Sequence, residues 1–294
     1  LGHHVTLWHS TFHHSKKIYR YNQYTKIEIN PHFQVHFLHG RSYKKNVSLL
    51  RIINHSMLAR QFTKIADECS APDVILCAMP TLEITNAALD YAKEKNIPVI
   101  TDLRDMWPDI FLEQIPSRLK PLAKIFLLDK FYLIKKIIKE SFSVIAVSQT
   151  YLQFGFKHYK RPVSDLDKVF YIAYEQSEIE DSQFHQETIR LKNAGVDLSK
   201  TIICFFGTFG VTYDFSTVLS AAKILQEQNN QTFQFVFCGD GEKFQEVKEQ
   251  SRNVQNVILL GWVGKETLIT LSRYASIGLA NYVLNAPQSV SNKP

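Results

Sequence analysis

The sequence predicts an α/β protein with two doubly wound domains, each built on a parallel sheet. Short apolar runs alternate with amphipathic helical segments along nearly the whole chain, and the alternation starts again after a polar stretch near residue 175. Such alternation favours parallel sheets covered by helices. With 294 residues, of which 45% are hydrophobic, the chain is long enough to bury two cores.

The first half supplies strands and helices in turn. The run DVILCAM at 73–79 is continuously apolar, as expected for a strand buried on both faces. A helical segment at 81–96 ends at Asn96, a residue suited to a helix C-terminus. The other predicted elements are strands at 3–10, 98–103 and 142–148 and a helix at 48–69.

The second half repeats this pattern after the polar, acidic segment 175–199. We predict that this segment links a first domain at 1–174 to a second domain at 200–294. The predicted strands are 201–207, 232–239, 256–263 and 277–282, and the helices are 214–229, 242–251 and 265–275. Ligands of such sheets bind beyond the carboxyl ends of the strands, so we expect the two domains to face each other across a cleft lined by those loops.

Charge is distributed unevenly along the chain. Residues 1–170 carry 24 Lys and Arg against 15 Asp and Glu, a net charge of +9, whereas residues 171–294 have a net charge of −3. The basic half is therefore expected to meet an anionic partner such as a membrane surface. Nucleic acid would also fit the charge, but the sequence contains no recognised nucleic-acid-binding module, so no nucleic-acid partner is predicted.

Several other classes of protein do not fit the composition. No run approaches the roughly 20 apolar residues that cross a bilayer, and the first residues lack the basic start and apolar centre of a signal peptide. The four cysteines show no CxxC spacing, and Cys77 and Cys204 lie within apolar runs. We expect these two to be small buried hydrophobes in a protein of the reducing cytoplasm.

Three glycine-bearing turns follow predicted strands of the second half. They are FFGTFG at 205–210, CGDG at 238–241 and GWVG at 261–264. Glycine allows backbone N–H groups to approach a phosphate at the N-terminus of a helix. One such turn is often only a tight turn, but three at one edge of a sheet favour a nucleotide site.

The order of these motifs resembles that of GT-B-fold, family 4-type retaining glycosyltransferases. In the second half the resemblance extends to YASIGLA at 274–280 and QSVSNKP at 288–294. In the first half TDLRDMWPD at 101–109 is similar to the acceptor-domain loop that ends in a His-Asp or Arg-Asp pair followed by Trp-Pro. The resemblance covers nearly the whole chain and points most closely to the bacterial surface-polysaccharide branch of the family.

The resemblance implies a GT-B architecture, with an acceptor domain at 1–174 and a donor domain at 200–294. The donor domain would bind a UDP-linked nucleotide sugar as substrate, and the reaction would need no cofactor. Its implied donor-binding residues are Gly207, Thr208, Gly210, Gly239, Asp240, Gly241, Trp262, Val263, Asn292 and Lys293. Gly207 and Thr208 would face the pyrophosphate. Trp262 and Val263 would lie along the nucleobase, and the loop beginning near Asn292 would approach the donor sugar.

The same resemblance places Asp105 on the family's Asp and Arg104 on a position that often holds His. Arg104 would supply positive charge for a phosphate or the acceptor, and Asp105 would orient a sugar hydroxyl or act as a base. The local sequence also allows a plainer interpretation, in which Asp102 or Asp105 caps the following helix and Arg104 pairs with one of them. The sequence leaves both open.

Three departures from the family pattern matter. The first donor loop has Thr208 and Tyr213 where the family often has Arg and Lys, so the phosphate charge would be met by backbone amides, a helix dipole, Arg104 or Lys293. The chain stops at Pro294, where a paired-glutamate motif should begin, and it starts inside what should be the second strand. We therefore expect a fragment that lacks both ends of the active site and is itself inactive or weakly binding.

The segment 118–141 carries seven basic residues against two acidic ones, with apolar residues between them. A basic amphipathic helix of this kind can lie in a membrane interface; the alternative is a core helix whose lysines reach solvent. We predict the former, with Lys130, Lys135, Lys136 and Lys139 facing an anionic membrane or the acceptor. The pairs at 3–4 and 13–14 are His-His, but no cysteine or carboxylate stands at ligand spacing, so no metal site is predicted.

The expected function is transfer of a hexosyl or N-acetylhexosaminyl group from a nucleotide sugar to a lipid-linked saccharide acceptor. The transferred sugar is expected to retain its anomeric configuration. The expected setting is cell-surface polysaccharide biosynthesis, such as lipopolysaccharide or capsule, at the inner face of a bacterial plasma membrane. Two alternatives remain open. One is a nucleotide-sugar 2-epimerase on the same fold, for which no dedicated acid/base set is found, and the other is a non-catalytic accessory subunit that binds the donor.

Overall fold

Two α/β units make up the chain, Leu1–Ile172 and Ala173–Val290. The computed structural model describes residues 2–14, 16–44, 48–113, 115–173 and 177–283. Most of the predicted elements form where the apolar runs and helical stripes place them. The differences fall in the polar strands of the first unit, the basic segment and the acidic segment.

The first unit contains two separate sheets and a short hairpin. Its strands are β1 (Val5–Ser10), β2 (Phe12–His13), β3 (Ile18–Tyr19), β4 (Thr25–Asn30), β5 (Phe33–Leu38), β6 (Ile75–Met79), β7 (Val99–Leu103), β8 (Ser143–Ala146) and β9 (Lys168–Val169). β5 pairs parallel with β1 and antiparallel with β4, and β2 pairs with β3. The other sheet is entirely parallel, in the order β6-β7-β8-β9.

Helices connect and cover these strands. They are α1 (Leu49–Ala66), α2 (Leu82–Lys95), α3 (Asp109–Glu113), α4 (Lys120–Phe126), α5 (Leu128–Glu140) and α6 (Gln149–Tyr159), with a 3-10 turn at Ser117–Leu119. The side chain of Ser48 accepts a hydrogen bond from Arg51 N and caps α1. Asn96 ends α2 in the left-handed conformation, φ 55°, as its side chain allows.

The core of the first unit lies between the parallel sheet and its helices. The largest side chains that are almost fully buried here are Leu38, Met79, Leu82, Leu103, Ile134, Ile137, Ile138 and Tyr151. Burial of each aliphatic side chain contributes about 1.5–3 kcal/mol. This packing fixes the carboxyl ends of β6, β7 and β8 at one edge, since Met79 pairs with Leu103 and Leu103 with Ala146.

The prediction of one continuous helix over 118–141 is wrong. The segment breaks at Leu127, φ −103° and ψ 8°, so that α4 and α5 are separate helices. The break lets α5 turn Ile134, Ile137 and Ile138 into the core, whereas α4 has no buried residue.

The second unit is a single parallel sheet in the order β12-β11-β10-β13, covered by helices. Its strands are β10 (Thr201–Phe206), β11 (Phe233–Cys238), β12 (Val257–Gly261) and β13 (Ala275–Gly278), and its helices are α7 (Asp181–Asn193), α8 (Phe215–Glu227), α9 (Phe244–Gln250) and α10 (Lys265–Tyr274). Alternate residues of β10 pack on opposite faces: Ile203 and Phe205 join one cluster, and Ile202 and Cys204 join the other. Burial on both faces explains the unbroken apolar run.

Helix α7 lies within the segment predicted to be a linker. A capping box between Glu180 and Gln183 starts the helix. It packs on the second unit through Leu191, through the ring of Phe184 stacked on Tyr274, and through a hydrogen bond from Thr267 to Glu187 of 2.6 Å. Because only Leu191 of this helix is buried, its sequence is mostly polar, and the segment was therefore predicted to be a linker.

Candidate functional site

The three glycine-bearing turns lie together at one edge of the second sheet. The parallel register pairs Phe206 with Cys238 and Cys238 with Gly261, so the loops after β10, β11 and β12 start side by side. This edge is formed by the carboxyl ends of the strands, where α/β sheets bind ligands. The structure thus brings the predicted donor residues at 207–210, 239–241 and 262–263 into one place.

Backbone hydrogen bonds join these loops to one another. Gly207 N donates to Cys238 O at 3.0 Å, and Gly239 N donates to Gly261 O at 2.7 Å. Phe209 N donates to Asp240 O at 2.9 Å, and its own carbonyl accepts from Lys243 N at 2.9 Å. The amides of Gly207, Phe209 and Gly239 are therefore engaged by neighbouring loops, which the sequence alone did not reveal.

Two of the glycines are required by this close approach. A Cβ atom on Gly239 would collide with the carbonyl oxygen of Gly207, and a Cβ on Gly241 would lie 2.5 Å from Phe209 O. Gly239 also adopts φ 137°, which side-chain-bearing residues rarely do. By contrast, a Cβ on Gly210 would meet nothing within 4 Å. Gly239 and Gly241 are thus needed for packing between the loops, whereas Gly210 leaves open space that a ligand could approach.

The remaining donor candidates differ in exposure. Trp262 is 82% exposed, an unusual position for an indole ring, and Thr208 is also exposed. Val263 is half-buried against the core of the second unit. Asp240 is exposed, and its Oδ1 accepts a hydrogen bond from Gly241 N at 2.8 Å. Asn292 and Lys293 lie outside the described residues.

The loop after β7 carries the predicted catalytic pair. Arg104 Nε donates to Asp102 Oδ2 at 2.6 Å, and Asp102 is buried, so the pairing named in the plainer interpretation is present. The Arg104 side chain is nevertheless 60% exposed. Asp105 Oδ1 accepts from Met106 N at 2.8 Å. These contacts orient both side chains and leave their predicted chemical roles as predictions.

Sequence reasoning missed a cationic group beside this loop. The guanidinium carbon of Arg51, on α1, lies 4.6 Å from the ring centroid of Trp107, and Arg51 Nε lies 3.4 Å from His55 Nε2. Burial lowers the pKa of Arg51, while Tyr43 and Asp105 act in the opposite direction. The sequence feature that could have pointed to this group is the four-residue spacing of Arg51 and His55, which puts both side chains on one face of α1.

The four lysines predicted to face a membrane or acceptor do not share one environment. Lys130 is buried and forms ion pairs with Glu83 at 2.7 Å and with Asp129 at 2.8 Å, so its predicted outward position is wrong. Lys136 pairs with Asp90 at 2.6 Å. Lys135 and Lys139 are exposed.

Glu83 is the centre of a buried charge group. Its carboxylate lies 2.7 Å from Lys130 Nζ and 3.5 Å from His55 Nδ1. Burial alone would raise the pKa of Glu83, but the contacts with His55 and Lys130 outweigh it and lower the pKa to about 2. The ionised Glu83 carboxylate therefore links α1, α2 and α5 through its contacts with His55 and Lys130.

Two kinds of feature are absent from the described residues. No group of three or more His, Cys, Asp or Glu side chains in this part of the chain could hold a metal ion. No helix within the described ranges is long and apolar enough to cross a bilayer.

A family model matches the part of the chain that carries the glycine turns. Residues 187–281 match the family described as "Glycosyl transferases group 1". The matched range runs from α7 through β13 and includes all three turns. No curated protein matches the sequence.

Solved structures resemble the whole fold at low sequence identity. Anabaena Alr3699/HepE in complex with UDP has a TM-score of 0.53 and 14% identity, over 83% of this chain and 59% of that one. The catalytic domain of Starch Synthase IV from Arabidopsis thaliana, bound to ADP and acarbose, has a TM-score of 0.55 and 13% identity, over 84% and 61%. The E. coli structure described as "Trehalose-6-phosphate" bound with UDP-2-fluoro glucose has a TM-score of 0.58 and 11% identity, over 93% and 70%.

These likenesses bear on the fold. Two Rossmann-like units with parallel sheets fit the GT-B fold that the sequence predicted. The chain spans about 60% of the length of the Anabaena protein.

Proposed function

We propose that this chain belongs to a glycosyltransferase that moves a sugar from a UDP-linked donor to a saccharide acceptor, with retention of anomeric configuration. The observation that carries the proposal is the interlocked set of glycine loops at the carboxyl edge of the second sheet, inside the range 187–281 that matches group 1 glycosyl transferases. Bound UDP in the Anabaena structure supports the choice of nucleotide.

The second unit would bind the donor at this edge. Trp262 offers an exposed aromatic face on which a nucleobase can stack, an interaction of about 1–3 kcal/mol per base. Because the amides of Gly207 and Gly239 already bind loop carbonyls, the diphosphate must be held by other groups near these turns. Thr208, exposed and between two glycines, is one such group.

The first unit would bind the acceptor, with Arg104 and Asp105 as reacting-site residues. Departure of UDP leaves negative charge on the diphosphate, and a guanidinium placed beside it lowers the energy of that charge. Arg104 is held by Asp102 yet remains largely exposed, which suits this role. Asp105, oriented by Met106 N, would position the acceptor hydroxyl.

Calorimetry with a panel of nucleotide sugars tests the donor assignment. We expect a UDP sugar to bind, and Trp262→Ala to weaken binding about 5- to 150-fold, from the stacking energy above, without changing the free energy of unfolding. Ile224→Ala, an exposed apolar residue on α8, is the matched control and should leave binding unchanged. Binding of no nucleotide sugar by the complete gene product would overturn the proposal.

A transfer assay separates an enzyme from a binding subunit. With a saccharide acceptor present, the complete gene product should release free UDP and form a glycoside of retained configuration, measured by NMR. Donor binding without release of UDP across an acceptor panel would overturn the transferase assignment.

We further propose that the first unit lies against an anionic membrane, which would present a lipid-linked acceptor. Helix α4 and the residues around it expose large apolar side chains, namely Leu119, Leu122, Ile125, Phe126 and Leu128. Basic side chains at 118, 124, 135 and 139 lie exposed in the same segment. Apolar residues ringed by Lys and Arg are typical of surfaces that insert into an anionic interface.

Vesicle sedimentation tests this surface. The protein should pellet with phosphatidylglycerol vesicles and much less with phosphatidylcholine vesicles, and Phe126→Ser should reduce pelleting several-fold. Phe170→Ser is the control, because Phe170 is 61% exposed but lies at the end of β9. Equal pelleting of the two variants and the unchanged protein would refute a membrane role for α4.

A further inference from the structure

The first unit contains an open cavity that none of the predicted site residues lines. Its volume is about 500 Å³, and it lies at the carboxyl ends of β1, β5 and β6, between the β2–β3 hairpin and α1. All of its lining residues fall between Trp8 and Ile84, so it belongs to the first unit alone.

Cationic and imidazole side chains dominate the polar part of this lining. Arg20 and Arg51 line the cavity together with His9, His14 and His55, and no carboxylate is among the described lining residues. Lys17 lies beside it, with Nζ 4.7 Å from the ring centroid of Tyr43. Apolar side chains such as Leu38, Leu58 and Ile84 form the rest of the wall, which lowers the local dielectric constant.

The nearby carboxylates already have partners. Glu83 contacts Lys130 and His55, and Asp105 accepts a hydrogen bond from a backbone amide while also acting on Arg51. Positive charge is therefore in excess around the cavity.

The titration behaviour of the cavity groups agrees with this excess. Burial is the largest cause that lowers the pKa of His9, His14 and Lys17, and neighbouring cations lower it further: Arg20 for His9, and Arg51 for Lys17. The larger part of each pKa shift reflects burial alone, and the part that comes from neighbouring cations reflects a repulsion that a bound anion would offset.

We propose that this cavity binds an oxyanion, a phosphate or a carboxylate, carried by the acceptor substrate. The arginines supply forked N–H donors that match the oxygens of either group, and the half-buried ring of Trp8 lines the same cavity. That the occupant is the acceptor rests on the proposed function, but anion binding by the cavity does not.

A metal site is the other chemistry that several histidines suggest. Among the described residues no three His, Cys, Asp or Glu side chains are placed to hold a metal ion, and two guanidinium groups in the same lining would repel one. The oxyanion is therefore the occupant that the lining favours.

The test titrates the complete gene product with inorganic diphosphate, with glucuronate and with glucose, followed by NMR of the histidine ring C–H groups. Signals of His9 and His14, assigned with His9→Gln and His14→Gln, should shift with at least one of the two anions and not with glucose. The signal of His185, on α7 of the second unit, should stay in place. A response to diphosphate alone identifies the phosphate of a carrier, and a response to glucuronate alone identifies an acidic sugar; either supports the proposal.

Arginine variants fix the location of binding. Arg20→Gln at the exposed rim and Arg51→Gln should each weaken anion binding at least 10-fold, whereas Arg60→Gln, exposed on the same helix as Arg51, should not. If Arg51→Gln does not fold, the exposed Arg20→Gln variant still tests the proposal. Unshifted His9 and His14 signals, or equal affinity in the Arg20 and Arg60 variants, would overturn the proposal. If UDP sugars fail to bind while the histidine shifts appear, the proposed function fails and the anion site stands.

Discussion

A single methyl group at Gly239 tests the packing of the donor loops. In Gly239→Ala the new Cβ would collide with Gly207 O, a backbone atom that cannot rotate away, at φ 137°. The unfavourable backbone conformation costs about 1–2 kcal/mol, and the forced separation of packed loops costs about 1–3 kcal/mol. We therefore expect a loss of about 2–5 kcal/mol in the free energy of unfolding.

Gly210→Ala is the matched control on the same edge. A Cβ there meets nothing within 4 Å and the residue does not have a positive φ, so the change should stay within about 1 kcal/mol of the unchanged protein. Urea unfolding followed by circular dichroism measures both variants. If Gly239→Ala and Gly210→Ala were equally stable, the loops would not be packed as the structure shows.

Three further predictions concern the first unit. The pKa of Glu83 is about 2 in the folded protein against an ordinary 4.5, so its ionised form stabilises the fold by about 3 kcal/mol. This stabilisation is complete above pH 4.5 and is lost as pH falls toward 2. Glu83→Gln should therefore flatten this part of the pH profile of urea unfolding. Lys130→Met should cost about 3–5 kcal/mol by leaving a buried carboxylate with less compensation, whereas Lys135→Met, at an exposed site, should cost less than 1. Iodoacetamide at pH 8 should label half-buried Cys69 before Cys77, whose pKa burial raises to about 12, as read by mass spectrometry.

Each of these has an outcome that would contradict it. An acid profile of Glu83→Gln parallel to that of the unchanged protein would remove the ionised Glu83 carboxylate as a source of stability. Equal costs for the two lysine variants would mean that Lys130 is solvated, and labelling of Cys77 in the folded protein at the rate of Cys69 would mean that β6 is open.

The sequence was most informative where burial is two-sided. The run 201–206 is apolar because its strand packs against hydrophobic clusters on both faces of its sheet, and its position was predicted to within one residue. The run 73–79 forms β6 where a strand was predicted, but the prediction that this strand is buried on both faces is wrong, since Leu76 is 62% exposed and Ala78 is also exposed. Strands β4 and β5 were missed because β4 is exposed along most of its length and mixes Lys26, Glu28 and Asn30 with isoleucines. β5 pairs with β4 on one side and with β1 on the other, and β1 is separated from β5 in the chain by the β2–β3 hairpin and β4.

The candidate site shows the same division. Glycines at 207, 239 and 261 could be placed because parallel strands bring their loops to one edge, a consequence of topology alone. The four-residue spacing of Arg51 and His55 puts both on one face of α1, but the mixed composition of this helix does not show that the face is covered. The structure shows that it is covered, because Trp107 lies 4.6 Å from the Arg51 guanidinium carbon and His55 is buried against Glu83. The structure also confirms the prediction, made from the apolar runs around them, that Cys77 and Cys204 are buried.

Two environments in the first unit hold part of its positive charge. One is the cavity, where Arg51 and its neighbours are held at a cost in desolvation. The other is the exposed segment around α4, where basic residues flank large apolar side chains such as Phe126. A neutral, soluble saccharide acceptor would use neither. An acceptor joined through phosphate to a lipid would use both, since its anionic group fits the first environment and the surrounding bilayer fits the second. We therefore consider a lipid-linked anionic acceptor the substrate that best accounts for the charge of this half of the chain.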